Sequence, residues 1–236
     1  MRLLVVNPNT TASMTALIGG AAGAVAGPDV TIEAVNPASG PVSIESHYDE
    51  ALAVPGVLEL VARGGYDGYV VACFGDPGVL AARELTGAPV VGIAEAAMRT
   101  AAYLGRTYSV VTTLGRTIGH SWDVARAGGL ADHCAGMHAC EVPVVELETD
   151  PRARARILAE AEHALATDRS DVIVLGCAGM ADLADWLSVE LGVPVVEGVG
   201  AATLEVEKLV RLGLRTSKRG EFAPPPAKER GPSLLV

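Results

Sequence analysis

The chain repeats a set of short apolar segments in the same order, and this repeat most limits the folds open to it. Two of the segments end in cysteines, Cys73 and Cys177, and each cysteine is followed two residues later by a glycine. The repeated pairs are 3–6 with 108–111, 69–72 with 173–176, and 88–91 with 193–196. Repetition on this scale predicts two similar halves related by pseudo-symmetry. We therefore expect the two thiols to face one another across the gap between the halves.

Composition limits the kinds of partner and the compartment. A chain of 236 residues that is 50% hydrophobic is long enough to bury a full core. Its net charge of −10 argues against a nucleic-acid surface, and no apolar run reaches the roughly 18–20 residues that span a bilayer. The N-terminal segment has no signal-peptide cleavage pattern, and four cysteines do not form a dense disulfide framework. We expect a cytoplasmic protein that binds a small molecule, not nucleic acid or a membrane.

Short Val/Ile/Leu runs alternate with longer Ala-rich segments, which is typical of an α/β protein with a parallel sheet covered by helices. Strands are predicted at 2–6, 29–35, 68–72, 89–92, 107–112, 142–146, 171–175 and 194–197. Helices are predicted near 11–26, 47–63, 77–85, 95–104, 117–129, 151–167, 180–190 and 200–213. The helix at 151–167 has the clearest start, with Asp150 as N-cap and Pro151 in the first turn.

Two segments do not fit this alternation. Residues 132–140 match neither pattern and are interpreted as a solvated loop. After Leu214 the chain becomes rich in Lys, Arg, Gly and Pro, so 215–236 is predicted to be a flexible C-terminal tail or an arm that docks a partner.

The cysteines lie where strands end, which is where ligands collect in parallel sheets. Asp76 and Pro77 follow Cys73 and are predicted to cap and begin a helix. A thiol just before a helix N-terminus is expected to have a lowered pKa. Either cysteine alone would more simply be a buried core residue. A pair at equivalent strand ends, each followed by a glycine turn, favours chemistry.

Five segments resemble the aspartate/glutamate racemase superfamily and, within it, the hydantoin and allantoin racemases. The resemblance covers about residues 1–213, and its motifs are 7–11, 43–46, 72–78, 111–113 and 176–180. It implies an enzyme without a cofactor or metal, built of two pseudo-symmetric flavodoxin-like subdomains, each a parallel sheet flanked by helices, with the active site in the cleft between them. The subdomains would be 1–100 with 200–214, and 101–199. A homo-oligomer is also implied.

The same resemblance assigns roles to particular residues. Cys73 and Cys177 would be the acid/base pair, one acting on each face of the stereocentre. The ring pocket would be lined by Asn9, Ile44, Gly75, Thr112, Thr113, Ala178 and Gly179. The two thiols also fit the reaction on chemical grounds, because racemisation removes a proton from one face of a carbon acid and delivers one to the other. The negative charge that develops on a ring carbonyl could be stabilised by the backbone N–H groups near Gly75 or Gly179 and by the Thr112 and Thr113 hydroxyls.

The residues after each cysteine point to a class of substrate. Relatives that act on free aspartate or glutamate resemble one another in a Cys-Asn-Thr motif, whereas this chain has Cys-Phe-Gly and Cys-Ala-Gly. This difference favours a neutral cyclic ureide, namely a 5-substituted hydantoin. Allantoin, itself a 5-ureidohydantoin, is the alternative; because allantoin-type relatives often look like Cys-Phe-Ser at the first motif, Gly75 favours hydantoins slightly. An amino-acid racemase, a decarboxylase, a cis-trans isomerase or a noncatalytic binding protein are further alternatives.

Other polar residues carry weaker signals. His133-Cys134 and His138-Cys140 do not match a zinc-binding spacing. His47 and His120 are assigned by default to the surface or a helix face. Glu95 and Glu197 follow the repeated Pro-Val-Val segments and are predicted to cap helices.

Overall fold

The computed structural model describes residues 1–228 and contains two four-stranded parallel sheets, one in each half of the chain. The first sheet has the strand order β2-β1-β3-β4 and the second has the order β6-β5-β7-β8, so the predicted pseudo-symmetric α/β fold is confirmed. The strands are β1 Arg2–Val6, β2 Thr31–Val35, β3 Gly68–Val71, β4 Val90–Gly92, β5 Tyr108–Thr112, β6 Cys134–Ala139, β7 Val172–Leu175 and β8 Val195–Val196. The central strands are fully buried Val, Ile and Leu runs, as expected where helices cover both faces.

Eight α-helices lie among the described residues, each near a predicted position. They are α1 Ala12–Val25, α2 His47–Ala62, α3 Val79–Leu85, α4 Ile93–Leu104, α5 Ile118–Ala127, α6 Ala153–Asp168, α7 Ala184–Leu191 and α8 Gly198–Arg211. Within residues 1–228, no helix combines the length and the apolar character needed to cross a bilayer.

Two helices pack against the sheet of the opposite half. Met98 and Ala101 of α4, which follows the first sheet, lie in one cluster with Tyr108 and Val174 of the second sheet. Conversely α8, which ends the second half, packs through residues such as Val206 against the first sheet. The assignment of 200–214 to the first subdomain therefore agrees with the packing of α8. The packing of α4 favours a boundary near residue 92 in place of 100, and the division into subdomains remains a proposal.

The edge strand of the second sheet was predicted in the wrong place. The predicted strand at 142–146 is instead a 3-10 turn, Val144–Glu146, and the loop predicted at 132–140 contains β6. Pro143 lacks the N–H that a paired strand needs, although Val142 and Val144 on either side are buried. Strand β6 holds the edge position in the second sheet that β2, Thr31–Val35, holds in the first, so the pseudo-symmetry of the two halves accounts for its place.

Asp76 caps a different helix from the one predicted. It has a positive φ of 49°, and its carboxylate accepts hydrogen bonds from the backbone N–H groups of Ala94 and Glu95, at the start of α4, at 2.9 Å each. Helix α3 begins later, after Gly78 with φ 74°. A Cβ on Gly92 would lie 2.1 Å from Asp76 Cγ, so this carboxylate fits only because residue 92 is glycine.

The second half caps its corresponding helix with its own side chain. Glu197 accepts hydrogen bonds from the N–H groups of Val199 at 2.7 Å and Gly200 at 2.5 Å, as predicted. Glu95 does not correspond to it: residue 92 occupies the equivalent place, and Glu95 forms ion pairs with Arg83 and Arg99. The two halves thus place a carboxylate at the same helix start by different routes.

Two further helix starts differ from the prediction. Helix α6 begins at Ala153 with Arg152 as N-cap, while the Asp150 carboxylate accepts a hydrogen bond from Arg152 N at 2.9 Å in the turn before it. Helix α7 is preceded by the 3-10 segment Ala178–Leu183, which occupies the start of the predicted helix 180–190.

The segment predicted as a tail returns to the first half. The backbone N–H of Thr216 donates to Gly87 O at 3.0 Å, and the ammonium group of Lys218 donates to Arg83 O at 2.5 Å. Residues 215–222 therefore lie against α3 and β4. The last eight residues of the predicted tail, 229–236, lie outside the described residues.

Candidate functional site

The two cysteine loops have the same backbone turn. Cys73 follows β3, and its carbonyl accepts a hydrogen bond from Asp76 N at 3.0 Å. Cys177 follows β7, and its carbonyl accepts one from Met180 N at 3.1 Å. Because β3 and β7 are equivalent strands in their sheets, the repeat places both thiols at carboxyl ends of strands.

Both cysteines line one cavity of about 700 Å³, including its open mouth. The predicted residues on its wall are Asn9, Ile44, Cys73, Gly75, Thr112, Thr113, Cys177 and Ala178. Gly179 lies behind Cys177: a Cβ added there would be 3.6 Å from Cys177 Sγ and 2.9 Å from Leu147 Cδ1. The structure therefore brings the predicted set together, with Gly179 supporting the wall.

The thiol pKa values are raised, contrary to the expectation from helix position. Burial is the largest cause and raises the pKa of Cys73 and of Cys177 to about 12 in each case. The backbone N–H groups of Gly75 and Gly179 lower these pKa values, but by less than burial raises them. A negative charge on the Cys177 thiolate would also raise the pKa of Cys73, which is consistent with their sharing one cavity. Desolvation thus exceeds the effect of the turn N–H groups.

A buried network fixes the orientation of the Asn9 amide. Its oxygen accepts hydrogen bonds from Thr11 N and Asn7 Nδ2, both at 2.9 Å. Its Nδ2 is then left with Met14 Sδ at 3.2 Å, and a thioether is a weak acceptor. Asn9 therefore offers the cavity an N–H donor that a ring carbonyl would accept more strongly.

The two threonines at the end of β5, Thr112 and Thr113, differ in the hydrogen bonds that they can offer a ligand. The Thr112 hydroxyl donates to Gly176 O at 2.9 Å, which ties the loop after β5 to the loop that carries Cys177. The Thr112 hydroxyl proton is therefore already used in a hydrogen bond within the protein. Of the two predicted hydroxyl donors, Thr113 is the better placed to serve a ligand.

A cluster of polar side chains at one end of the cavity was missed from the sequence. His120 of α5 contacts Glu50 Oε2 through Nδ1 at 2.7 Å and Gly75 O through Nε2 at 3.2 Å. The hydrogen bond to Glu50 is the largest cause of a raised pKa of His120. His47 Nδ1 lies 3.3 Å from His120 Nδ1. Both histidines lie on helices, as predicted, and His47 is exposed, but both also line the cavity.

Only part of this cluster could be recognised from the sequence. Residues 47 and 50 are three apart on α2 and therefore share a helix face. His120 lies 73 residues from His47 in the other half of the chain, and the repeat has no counterpart for it.

A second contact between the halves involves Glu45. Its Oε1 accepts a hydrogen bond from Val144 N at 2.8 Å, and Val144 and Ile44 both line the cavity. The charge of Glu45 also contributes to the raised pKa of Cys177. The turn that was predicted as a strand at 142–146 is thus part of the cavity wall.

Two groups among the described residues have metal-ligating side chains close together: His47, Glu50 and His120 at the cavity, and His138, Glu160 and His163 elsewhere. Neither contains Cys134 or Cys140, which are both buried near β6.

Comparison with known proteins gives consistent results. The model of the family described as Asp/Glu/hydantoin racemase matches residues 3–206. A hydantoin racemase of Pseudomonas sp. strain NS671 is 44% identical, with 97% of this chain and 94% of the relative covered. The structure of allantoin racemase from Klebsiella pneumoniae is 48% identical with a TM-score of 0.96, covering 100% of this chain and 98% of that one. That of allantoin racemase from Pseudomonas fluorescens is 44% identical with a TM-score of 0.95, covering 98% and 100%.

Proposed function

The chain belongs to the Asp/Glu/hydantoin racemase family of isomerases, and on this premise we propose that it racemises 5-substituted hydantoins by proton transfer between Cys73 and Cys177. The observation that carries the proposal is the pair of thiols at equivalent strand ends in one cavity. The 44% identity to a hydantoin racemase over nearly the whole chain supports the choice of substrate.

The proposed reaction conserves protons. The thiolate of one cysteine takes the proton from C5, so that the C5–H bond breaks and an S–H bond forms. The electron pair of the broken bond spreads onto the adjacent ring carbonyl as an enolate. The thiol of the other cysteine then donates its proton to the opposite face of C5. The two cysteines have exchanged protonation states, and the pair itself supplies both transfers, so we propose no cofactor.

The hydrogen-bond donors of the cavity serve two different anions, the thiolate sulfur and the enolate oxygen. The Gly75 and Gly179 N–H groups act on their own cysteine sulfurs, because their hydrogen bonds lower the thiol pKa values. We therefore assign the enolate oxygen to Asn9 Nδ2 and to the Thr113 hydroxyl, in place of the glycine N–H groups and Thr112. Ile44 and Ala178 would pack on the ring.

One observation favours allantoin as a second candidate. Glu50, His120 and the exposed Arg116 all line the cavity, so its wall carries both charged and hydrogen-bonding groups. A ureido substituent would find partners there, whereas an aromatic substituent would not. A free amino acid is less favoured, because Phe74-Gly75 and Ala178-Gly179 provide no side-chain amide or hydroxyl after either cysteine.

The proposal includes a cytoplasmic homo-oligomer. Four free cysteines among the described residues suit a reducing compartment. Val42 and Tyr48, near the cavity, are 63% and 72% exposed and would suit an interface between copies. Light scattering on the purified chain would measure the number of copies.

A deuterium-exchange experiment tests the reaction. Single enantiomers of 5-benzylhydantoin and of allantoin are incubated with the protein in D2O, while optical rotation and deuteration at C5 are followed. We expect loss of rotation together with C5 deuteration, and a loss of at least about a thousandfold in rate in Cys73→Ser and in Cys177→Ser.

Cys134→Ser is the matched control, because this thiol is buried away from the cavity and the substitution keeps its donor. It should retain the parental rate. Racemisation that survives either cavity variant would exclude the two-thiol mechanism, and exchange of neither ring would exclude the proposed substrate class.

A further inference from the structure

A group of side chains on the second half, outside the cavity, has the composition of a transition-metal site. His138 lies on the edge strand β6, and Glu160 and His163 lie three residues apart on α6, so both face the same side of that helix. One ligand atom from each residue lies within 4.8 Å of the others. We propose that His138, Glu160 and His163 bind a divalent transition-metal ion, with zinc as the probe of choice.

Asp168 gives independent support, because it orients His138 in the manner of a metal ligand. His138 Nε2 lies 2.7 Å from Asp168 Oδ2, and the Ser109 hydroxyl donates to the same oxygen at 2.6 Å. With Nε2–H donated to a carboxylate, the neutral ring presents the lone pair of Nδ1 to the other two residues. Histidine ligands of metals are held in this way by a carboxylate behind them.

The backbone makes room for this second carboxylate. A Cβ on Gly136 would lie 2.1 Å from Asp168 Oδ2, so the seat of Asp168 requires glycine at this position of β6. The Asp168 side chain is only 10% exposed and that of His138 15%, so the pair forms a fixed base for the site.

The distances fit zinc. A tetrahedral ion with bonds of about 2.0–2.1 Å needs neighbouring ligand atoms about 3.3–3.4 Å apart. His138 Nδ1 and Glu160 Oε1 are separated by 3.5 Å, close to one edge of that tetrahedron. His163 is exposed on its helix, and one of its ring nitrogens lies within 4.8 Å of a ligand atom of each of the other two residues. Two imidazoles and a carboxylate suit zinc, cobalt or nickel and leave a fourth position for water.

The ion would act on stability, because none of these side chains lines the cavity. It would tie edge strand β6 to α6. At zinc about 100-fold above its Kd we expect the Tm of the full chain to rise by about 5–10 °C. The proposal is independent of the racemase reaction, so either can fail alone.

The test is zinc binding to the metal-stripped full chain, measured by competition with a chromophoric chelator, with the absorption spectrum of cobalt(II) reporting coordination geometry. His163→Ala and Glu160→Gln are on or near the surface and should fold. We expect each to weaken zinc binding at least tenfold and, at the same zinc concentration, to reduce the Tm rise by about half or more.

His133→Ala, an exposed histidine of the same half, and His47→Ala, in the cavity cluster, are the controls. Both should keep the zinc affinity, the Tm rise and the cobalt spectrum. Binding that is unchanged in His163→Ala and Glu160→Gln, binding that is lost in His47→Ala, or no binding at 100-fold excess of zinc would each overturn the proposal.

Discussion

The raised pKa values of the cavity thiols predict a steep pH dependence of the reaction. In the proposed reaction the thiolate is the base, and burial raises the pKa of Cys73 and Cys177 to about 12. Well below that pKa the thiolate fraction rises tenfold for each pH unit. We therefore expect kcat/KM to increase about a hundredfold from pH 6.5 to pH 8.5, with no plateau in that range, because the active form is the deprotonated one.

The assay is the initial rate of loss of optical rotation with a single enantiomer of 5-isopropylhydantoin, corrected for the rate without protein. Alkylation by iodoacetamide gives a second readout, since only the thiolate reacts. Mass spectrometry would follow Cys73 in the Cys177→Ser variant, where each pH unit should again increase the rate about tenfold.

A profile that is flat above pH 7 would refute this reasoning. It would mean that the thiolate is already formed at neutral pH, and that the Gly75 and Gly179 N–H groups exceed the cost of burial. A slope in the rate without a slope in alkylation would assign the pH dependence to another group, of which His120 is the nearest.

Two further predictions concern single side chains. Gly92→Ala should lower the free energy of unfolding by about 1–3 kcal/mol in denaturant titration, because its Cβ would overlap the Asp76 carboxylate. The control is Gly20→Ala in α1, whose Cβ meets no atom within 4 Å and which should be neutral or stabilising. Equal losses of unfolding free energy in the two variants would contradict the argument. Glu50→Gln should lower the pKa of His120, because the Glu50 carboxylate is the chief cause of its rise. The same variant should raise KM for allantoin about five- to tenfold while changing KM for 5-isopropylhydantoin less than twofold. An equal change in KM for both substrates would mean that Glu50 and His120 do not recognise the substituent.

The sequence predicted the parts of the molecule that the repeat duplicates. The strand pairs, their order along the chain and the thiols at their ends follow from local apolar runs and a fixed offset. Edge strand β6 was missed because its mixed residues show no alternation and Pro143 lies in a more apolar stretch nearby. Local reading also assigned Asp76 to the helix that follows it, whereas its carboxylate reaches α4 across a turn with positive φ.

The part of the site that was not predicted from the sequence has no counterpart in the repeat. Glu50 and His120 come from different halves and meet only once the fold is formed, next to Gly75 in the loop of Cys73. The equivalent Gly179 faces Leu147 and Met14 instead. No property of one half predicts a contact of this kind, because it depends on how the halves are set against each other.

The equilibrium of the proposed reaction limits the effect that this asymmetry can have on the rates. The two enantiomers of a hydantoin with one stereocentre have equal free energies, so the equilibrium constant is 1 whatever the protein does. The kcat/KM values in the two directions must then be equal, even though Gly75 beside Cys73 lies against His120 and Gly179 beside Cys177 lies against Leu147. An effect of the Glu50–His120 pair that is confined to one enantiomer must therefore change kcat and KM of that enantiomer in the same proportion. Tighter binding of that enantiomer in its ground state has this result.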